Sequence, residues 1–205
     1  MATFDERARD WDTPERIARA AEVAKAIRAT VPLSGRERLI DVGAGTGLLG
    51  LALVDDVASV TLADPSAGMI EVATEKLAGG DLPTVHAVHH DLIADPPPAD
   101  RFDLAVSLLV LHHIEDTAAA LAGIRALLAQ DGRIALADLD TEDGTFHTAE
   151  AEGIHHHGFD RREIERLATG AGFVDVATAT AMVIGDENAA DGYPVFLLTG
   201  RRGPS

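Results

Sequence analysis

The stretch Leu39-Ile40-Asp41-Val42-Gly43-Ala44-Gly45-Thr46-Gly47-Leu48-Leu49-Gly50 decides the fold. A short apolar run passes into alternating glycines and then into a second apolar stretch, the pattern of a buried strand, a tight loop and a helix. Glycine is required in such a bend because the backbone angles are closed to other residues and because a ligand must approach the chain closely. Asp64 ends the next apolar run, about 20 residues on, where a carboxylate can take both hydroxyls of a ribose. Two ligand classes share that arrangement. A dinucleotide fingerprint places its glycines at positions one, three and six, so that a pyrophosphate sits on the helix N-terminus. Here Gly43, Gly45 and Gly47 fall at one, three and five, and Leu48 holds the sixth place. Asp41, two residues ahead, would repel a pyrophosphate and attract an ammonium group. The loop therefore suits a nucleoside with an amino-acid tail better than one with phosphates. A nicotinamide-dependent oxidoreductase is the competing enzyme reading.

Outward from the loop, short apolar runs alternate with helical stretches. Strands are expected at Leu39–Val42, Val57–Ala63, Thr84–Val88, Phe102–Leu108 and Arg133–Asp138. Their near-continuous apolar character suits parallel strands covered on both faces. Helices are expected at Leu48–Val54, at Ser66–Ala78 with Ile70, Ala73 and Leu77 on one face, and at Asp116–Ala129, closed by Asp131-Gly132. The alternation calls for an α/β domain with a parallel sheet. Ahead of it, Asp12 or Thr13 caps a helix with Pro14 in its first turn; Ile17, Ala20, Ala21, Ala24, Ile27 and Val31 follow at helical spacing, and Pro32 stops the run. Behind it, Asp160 caps a helix with Glu163 as reciprocal partner and Phe159 and Ile164 as a hydrophobic staple; Gly172 closes it. Phe173–Ala181 and Tyr193–Gly200 read as two last strands whose short polar link, Gly185–Gly192, favours antiparallel pairing.

Composition narrows the function. At 205 residues, 46% apolar and 25% charged, the chain suits one folded domain, and no apolar run approaches the roughly 20 residues of a membrane-spanning helix. Met1 to Asp10 are polar and charged, so no export leader is expected and the cytoplasm is the expected compartment. The absence of cysteine excludes disulfides, thiolate metal sites and thiol nucleophiles. Seventeen basic against 34 acidic residues give a net charge of −17, a field that repels nucleic acid and anionic lipid. A small-molecule partner is expected; oligomeric state is silent.

Leu39–Gly50 with Asp64, the Phe102-Asp103-Leu104-Ala105-Val106-Ser107 strand running into Leu111-His112-His113-Ile114, and the Leu127-to-Arg133 turn resemble class I S-adenosylmethionine-dependent methyltransferases. The Phe4…Trp11-Asp12 start and the Gly158-Phe159-Asp160…Gly172-Phe173 segment are similar to the small bacterial branch related to quinone-biosynthesis methyltransferases. That branch usually has Lys-Pro-Gly-Gly where this chain has Ala129-Gln130-Asp131-Gly132, a change in a structural turn.

The resemblance implies a Rossmann-like doubly wound sheet of seven strands ordered 3-2-1-4-5-7-6, with strand 7 antiparallel. It implies one methyltransferase domain over 1–205: an arm or lid over 1–32, a cofactor half over 33–140 and a substrate half over 141–205. It further implies S-adenosylmethionine as cofactor and S-adenosylhomocysteine as product. Gly43, Ala44, Gly45 and Gly47 would pass beneath the methionine portion with Asp41 nearby, and Asp64, followed by Pro65, would bind the ribose. Met69 would lie on the adenine face or simply pack in the core. Asp91 would accept from the adenine amino group, and Leu92 would offer its amide. Ser107 and Leu108 would end strand 4 beneath the methionine tail. Trp11 would close over the cofactor or plug the first helix onto the sheet. A subunit that keeps the pocket without turnover is the non-enzymatic reading.

All nine histidines lie between His86 and His157. His112, His113, His147 and His155 are the candidate catalytic residues, competing as general base, as metal ligands or as a polar lip; His156 and His157 share their stretch. A metal needs ligands that converge from fixed positions, which adjacent loop histidines do not specify by themselves, so no metal is expected.

Overall fold

The computed structural model describes residues 3–147, 153–186 and 189–204. The elements in chain order are α1 (Phe4–Arg7), α2 (Pro14–Thr30), β1 (Arg38–Val42), α3 (Leu48–Ala52), β2 (Ser59–Asp64), α4 (Ala67–Ala78), β3 (Val85–His89), β4 (Phe102–Leu108), α5 (Thr117–Leu127), β5 (Leu128–Leu139), α6 (Arg161–Gly170), β6 (Phe173–Asp186) and β7 (Ala189–Arg202). The sheet runs β3-β2-β1-β4-β5-β7-β6. β1 to β5 pair in parallel, and β7 lies antiparallel to both β5 and β6. This is the expected order and the expected reversed strand.

Successive side chains of a strand point to opposite faces, and here both faces are covered. Leu39, Leu104, Val106, Ala135 and Leu197 pack with Val23, Ala24 and Ile27 of α2 and Leu49 of α3. Ile40, Ala105, Ile134, Leu136 and Phe196 pack on the other side with Leu121 and Ile124 of α5 and Ile164 of α6. Among the described residues no helix is long and apolar enough to cross a membrane.

Local rules place most helix starts. Thr13 takes the cap of α2, accepting from the Arg16 amide at 3.3 Å, and Asp116 and Asp160 cap α5 and α6. Several details depart from the expectations. The buried stripe of α2 is Ala20, Val23, Ala24 and Ile27, whereas Ile17 and Ala21 face solvent. Glu163 does not close a capping box; its carboxylate turns to Arg166, one turn along, because that cation offers two charged donors. A 3₁₀ turn at 54–56 delays β2 to Ser59. Helix α5 stops at Leu127, not Ala129, since Leu128 pairs with Phe102, and Asp131 turns the chain with a φ of 61°. β6 and β7 run further toward each other than expected. Ile184 pairs with Tyr193 and Asp186 with Ala189, so the polar link forms hairpin arms in place of a loop.

Candidate active site

The site grows from the carboxyl edge of the sheet, where parallel strands deliver their loops and open α/β sheets bind ligands. Reading across it, β2 ends in Asp64, β1 runs into the glycine loop, β4 leads to His112 and His113, and β5 carries Asp138.

The glycine loop is held from below. Gly43 and Ala44 donate to the Ala63 carbonyl at 2.8 and 3.0 Å, bending the chain back over β2. Gly45 has a φ of 56°, and its amide donates to Asp64 Oδ2 at 2.8 Å; Asp64 Oδ1 accepts from Ser66 at 2.8 Å. A Cβ on Gly45 would lie 3.4 Å from Trp11 Nε1 and 3.8 Å from Met69 Sδ, ordinary contact distances, so the positive φ and not crowding calls for glycine here. Gly47, with a φ of 90°, caps α3 where a Cβ would strike Leu62 at 2.6 Å. Asp41 is 1% exposed and accepts from the Gly50 amide at 2.8 Å, bracing the first turn of α3. Burial pushes Asp41 up to about 7 and also raises Asp64.

The other residues expected around a cofactor take varied positions. Met69 is buried and Pro65 exposed. Asp91 Oδ1 accepts from Ile93 and Ala94, shaping the turn after β3, and Leu92 packs against Gly123 of α5. Ser107 is buried at the end of β4, and its hydroxyl has no hydrogen-bond partner among the described residues. Leu108 is half-buried, and Leu109 takes a φ of 57°, an uncommon angle for a bulky side chain that turns the chain sharply off the sheet.

The N-terminal arm lies over the loop. The Arg16 guanidinium stacks 4.0 Å from the Trp11 ring centre, and Asp12 accepts from the Thr46 hydroxyl at 2.5 Å while pairing with Lys76. Asp5 accepts from Ser66 and Gly68, and Arg9 reaches Glu71 and Glu75 on α4. Phe4 meets both Trp11 and His113 edge-on, at 5.8 and 5.4 Å between ring centres. The arm thus spans the glycine loop and the histidines.

Those histidines separate cleanly. His112 is 1% exposed, and its Nδ1 lies 2.7 Å from Asp138 Oδ1, a carboxylate with no exposed surface. Its Nε2 lies 3.2 Å from His147 Nε2. His113 Nδ1 donates to the Gly153 carbonyl at 2.9 Å. Burial first, then the neighbouring His112, lowers both His113 and His147 to about 4, so both rings are neutral near pH 7. His147 is set by a braced loop: Glu142 Oε2 accepts from Gly144 and Phe146, and Phe146 stacks edge-on against His147 and Tyr193. His155 stands apart. Its amide donates to the His112 carbonyl, and its side chain is exposed. His156 ties the loop to Ile114 and Glu115, and His157 pairs with Glu142. The structure therefore joins His112, His113 and His147 and leaves out His155. Asp138 was not singled out by sequence reasoning; the signal available was an acid closing the apolar run Ile134–Ala137.

A family profile described as a methyltransferase domain matches residues 14–178. The demethylmenaquinone methyltransferase of Clavibacter sepedonicus is 36% identical over 114 residues, covering 56% of this chain and 45% of that protein. Matches of this kind span about half the length of such curated relatives. Among solved structures, a chain of the complex between the Haloferax volcanii Trm112 methyltransferase activator and a putative methyltransferase superposes with a TM-score of 0.78 at 20% identity, covering 100% of this chain and 99% of that one. The Haemonchus contortus phosphoethanolamine N-methyltransferase 2, solved with phosphomonomethylethanolamine and S-adenosylhomocysteine, gives 0.75 at 15% identity over 100% of this chain and 61% of that one. At these identities the structural likeness speaks to the fold alone.

Proposed function

The chain belongs to the methyltransferase-domain family, and from that premise we propose that it transfers a methyl group from S-adenosylmethionine to a small-molecule acceptor. The observation that carries this reading is the Asp64 carboxylate fastened to the Gly45 amide at the mouth of a loop with glycines at one, three and five. The residues present fit the cofactor. Gly43, Gly45 and Gly47 present bare main chain to an aminobutyrate chain, Asp64 keeps lone pairs beyond its bonds to Gly45 and Ser66 for ribose hydroxyls, and the buried Ser107 hydroxyl at the end of β4 is an orphan polar atom on the methionine side. Asp91 and Leu92 flank the adenine side, and Asp41 braces the loop from behind through the Gly50 amide. The methyltransferase-domain match over residues 14–178 supports the same cofactor class here.

When bound, the sulfonium supplies an electrophilic methyl carbon: the acceptor's lone pair forms the new bond, and the S–C electron pair leaves on sulfur as a neutral thioether. The protein's task is alignment, and orientation of this kind can remove about 7–11 kcal/mol from a barrier. The arm over 1–32 acts as the lid, with Trp11 and Phe4 excluding water between cofactor and acceptor. Residues 33–140 hold the cofactor, and 141–205 shape the acceptor side. The cluster of His112, His113 and His147 lines the acceptor side, where a neutral ring nitrogen takes the proton that the acceptor gives up. We place the activity in the cytoplasm, without a nucleic-acid or membrane partner. Isothermal titration with S-adenosylhomocysteine tests the reading: the wild type should bind, and Asp64→Ala should weaken binding about 100-fold. No binding to a folded wild type, or unchanged binding to the variant, would refute the assigned site.

A further inference from the structure

We propose that His112, His113 and His147 form a binding site for a divalent transition-metal ion of the zinc class, with a coordination position open toward the acceptor. This deepens the function proposed above by giving the histidine cluster a chemical means, and it rests on that reading only for the role of the ion, not for its binding.

Three observations carry it. First, the ligand nitrogens of the three rings lie within 4.8 Å of one another. His112 Nε2 and His147 Nε2 are 3.2 Å apart; two nitrogens at about 2.0–2.1 Å from one tetrahedral ion are separated by about 3.3 Å. Second, the opposite nitrogens of two of the rings are committed elsewhere. His112 Nδ1 is held by the fully buried Asp138, and His113 Nδ1 donates to the Gly153 carbonyl. Each of those two bonds fixes a tautomer whose Nε2 lone pair is free to ligate. A carboxylate or carbonyl behind each imidazole is the usual outer support of a metal-bound histidine. Third, the rings come from fixed positions: His112 and His113 from the 3₁₀ turn after β4, and His147 from the loop braced by Glu142. That convergence was missing from the linear sequence.

The donor set selects the ion. Three imidazoles without thiolate or carboxylate in the first sphere suit zinc, cobalt, nickel or ferrous iron and disfavour calcium and magnesium, which require oxygen. His112 is buried, whereas His113 and His147 are half-buried, so the site opens on one side, and three protein ligands with an open position are the arrangement of reactive metal sites. A metal there would favour acceptors that bind through oxygen, such as a phenol or an enol. The bound oxygen would lose its proton to solvent and meet the methyl carbon as an anion.

Chelator-stripped protein titrated with Co²⁺, followed by calorimetry and by the visible ligand-field spectrum, tests the site. One equivalent should bind with the intense bands of a four- or five-coordinate nitrogen site, and Zn²⁺ should displace it. His113→Ala and His147→Ala, both on half-buried rings, should each abolish that spectrum. Asp138→Asn, which keeps an acceptor for His112, should weaken the affinity 10–100-fold. Circular dichroism of each variant reports whether it is folded. No stoichiometric Co²⁺ binding by stripped wild type, or an unchanged spectrum in a folded His113→Ala, His147→Ala double variant, would overturn the proposal. Titration of the same samples with S-adenosylhomocysteine separates the two readings, because loss of cofactor binding with the cobalt spectrum intact would count only against the methyl-transfer function.

Discussion

The two ends of the site are built in opposite ways. On the cofactor side, one contiguous motif supplies the ligand-facing main chain: Asp41 reaches Gly50 nine residues on, and the loop 43–47 is closed by main-chain bonds to Ala63 and by Asp64, the last two residues of the adjacent strand β2. On the acceptor side, the cluster assembles from distant positions, with Asp138 lying 26 residues and His147 35 residues from His112. That motif takes its geometry once β1 has paired with its neighbour β2. A convergent cluster exists only once β4, β5 and the loop after β5 have docked. Damage should therefore differ in kind: substitutions on the acceptor side disturb packing, and those in the glycine loop disturb binding first.

The largest effect should come from Asp138→Ala. It strips the acceptor from His112 Nδ1 and from the Leu139 amide, both buried, and should cost about 3 kcal/mol or more of stability in a denaturant titration. A loss below about 1 kcal/mol would show that the pair is not a packing element, and the contrast would fail.

Next is the pH response of Asp41. Its folded-state pKa is raised to about 7 from 3.8, so the folded protein holds a proton that the unfolded chain has released. Stability from this group is lowered above about pH 7 and recovers as the pH falls through the window toward 3.8. Asp41→Asn, which still offers an acceptor to Gly50, should remove that slope. Between pH 8 and pH 5 the gain in wild type over the variant should be roughly 2–3 kcal/mol. Parallel profiles of wild type and Asp41→Asn would place the titration elsewhere.

Gly45→Ala should cost about 1–2 kcal/mol from the positive φ alone. It should also weaken S-adenosylhomocysteine binding by more than that strain accounts for, as the new methyl covers main chain that the ligand would approach beneath Trp11. Binding at wild-type strength would mean that the ligand does not approach Gly45. Smallest of all, Arg9→Ala removes ion pairs to Glu71 and Glu75 whose members are more than half exposed, and should leave the melting temperature unchanged.

The same contrast explains what the sequence could reveal. The glycine loop, the sheet order implied by the resemblance, and the caps at Thr13, Asp116 and Asp160 were legible because each is written in contiguous residues. The buried stripe of α2 was misjudged at Ile17 and Ala21 because spacing alone does not say where a helix meets its sheet. The β6–β7 hairpin looked like a polar link because Gly185 to Gly192 carry no apolar alternation to announce a strand. Leu109 carries a left-handed angle with no glycine or asparagine to announce it. Asp138 and His147 joined His112 through tertiary packing only, which no spacing rule foretells; the folded chain brings one nitrogen from each of His112, His113 and His147 within 4.8 Å of one another.

The most direct test of the central claim is a crystal structure of the protein with S-adenosylhomocysteine, beside a parallel soak with NADH. The account predicts ribose hydroxyls on Asp64, the aminobutyrate chain along Gly43 to Gly47, the vacated sulfur facing the histidine cluster, and an empty site in the NADH crystal. A diphosphate seated in the glycine bend, or S-adenosylhomocysteine bound away from Asp64, would contradict it.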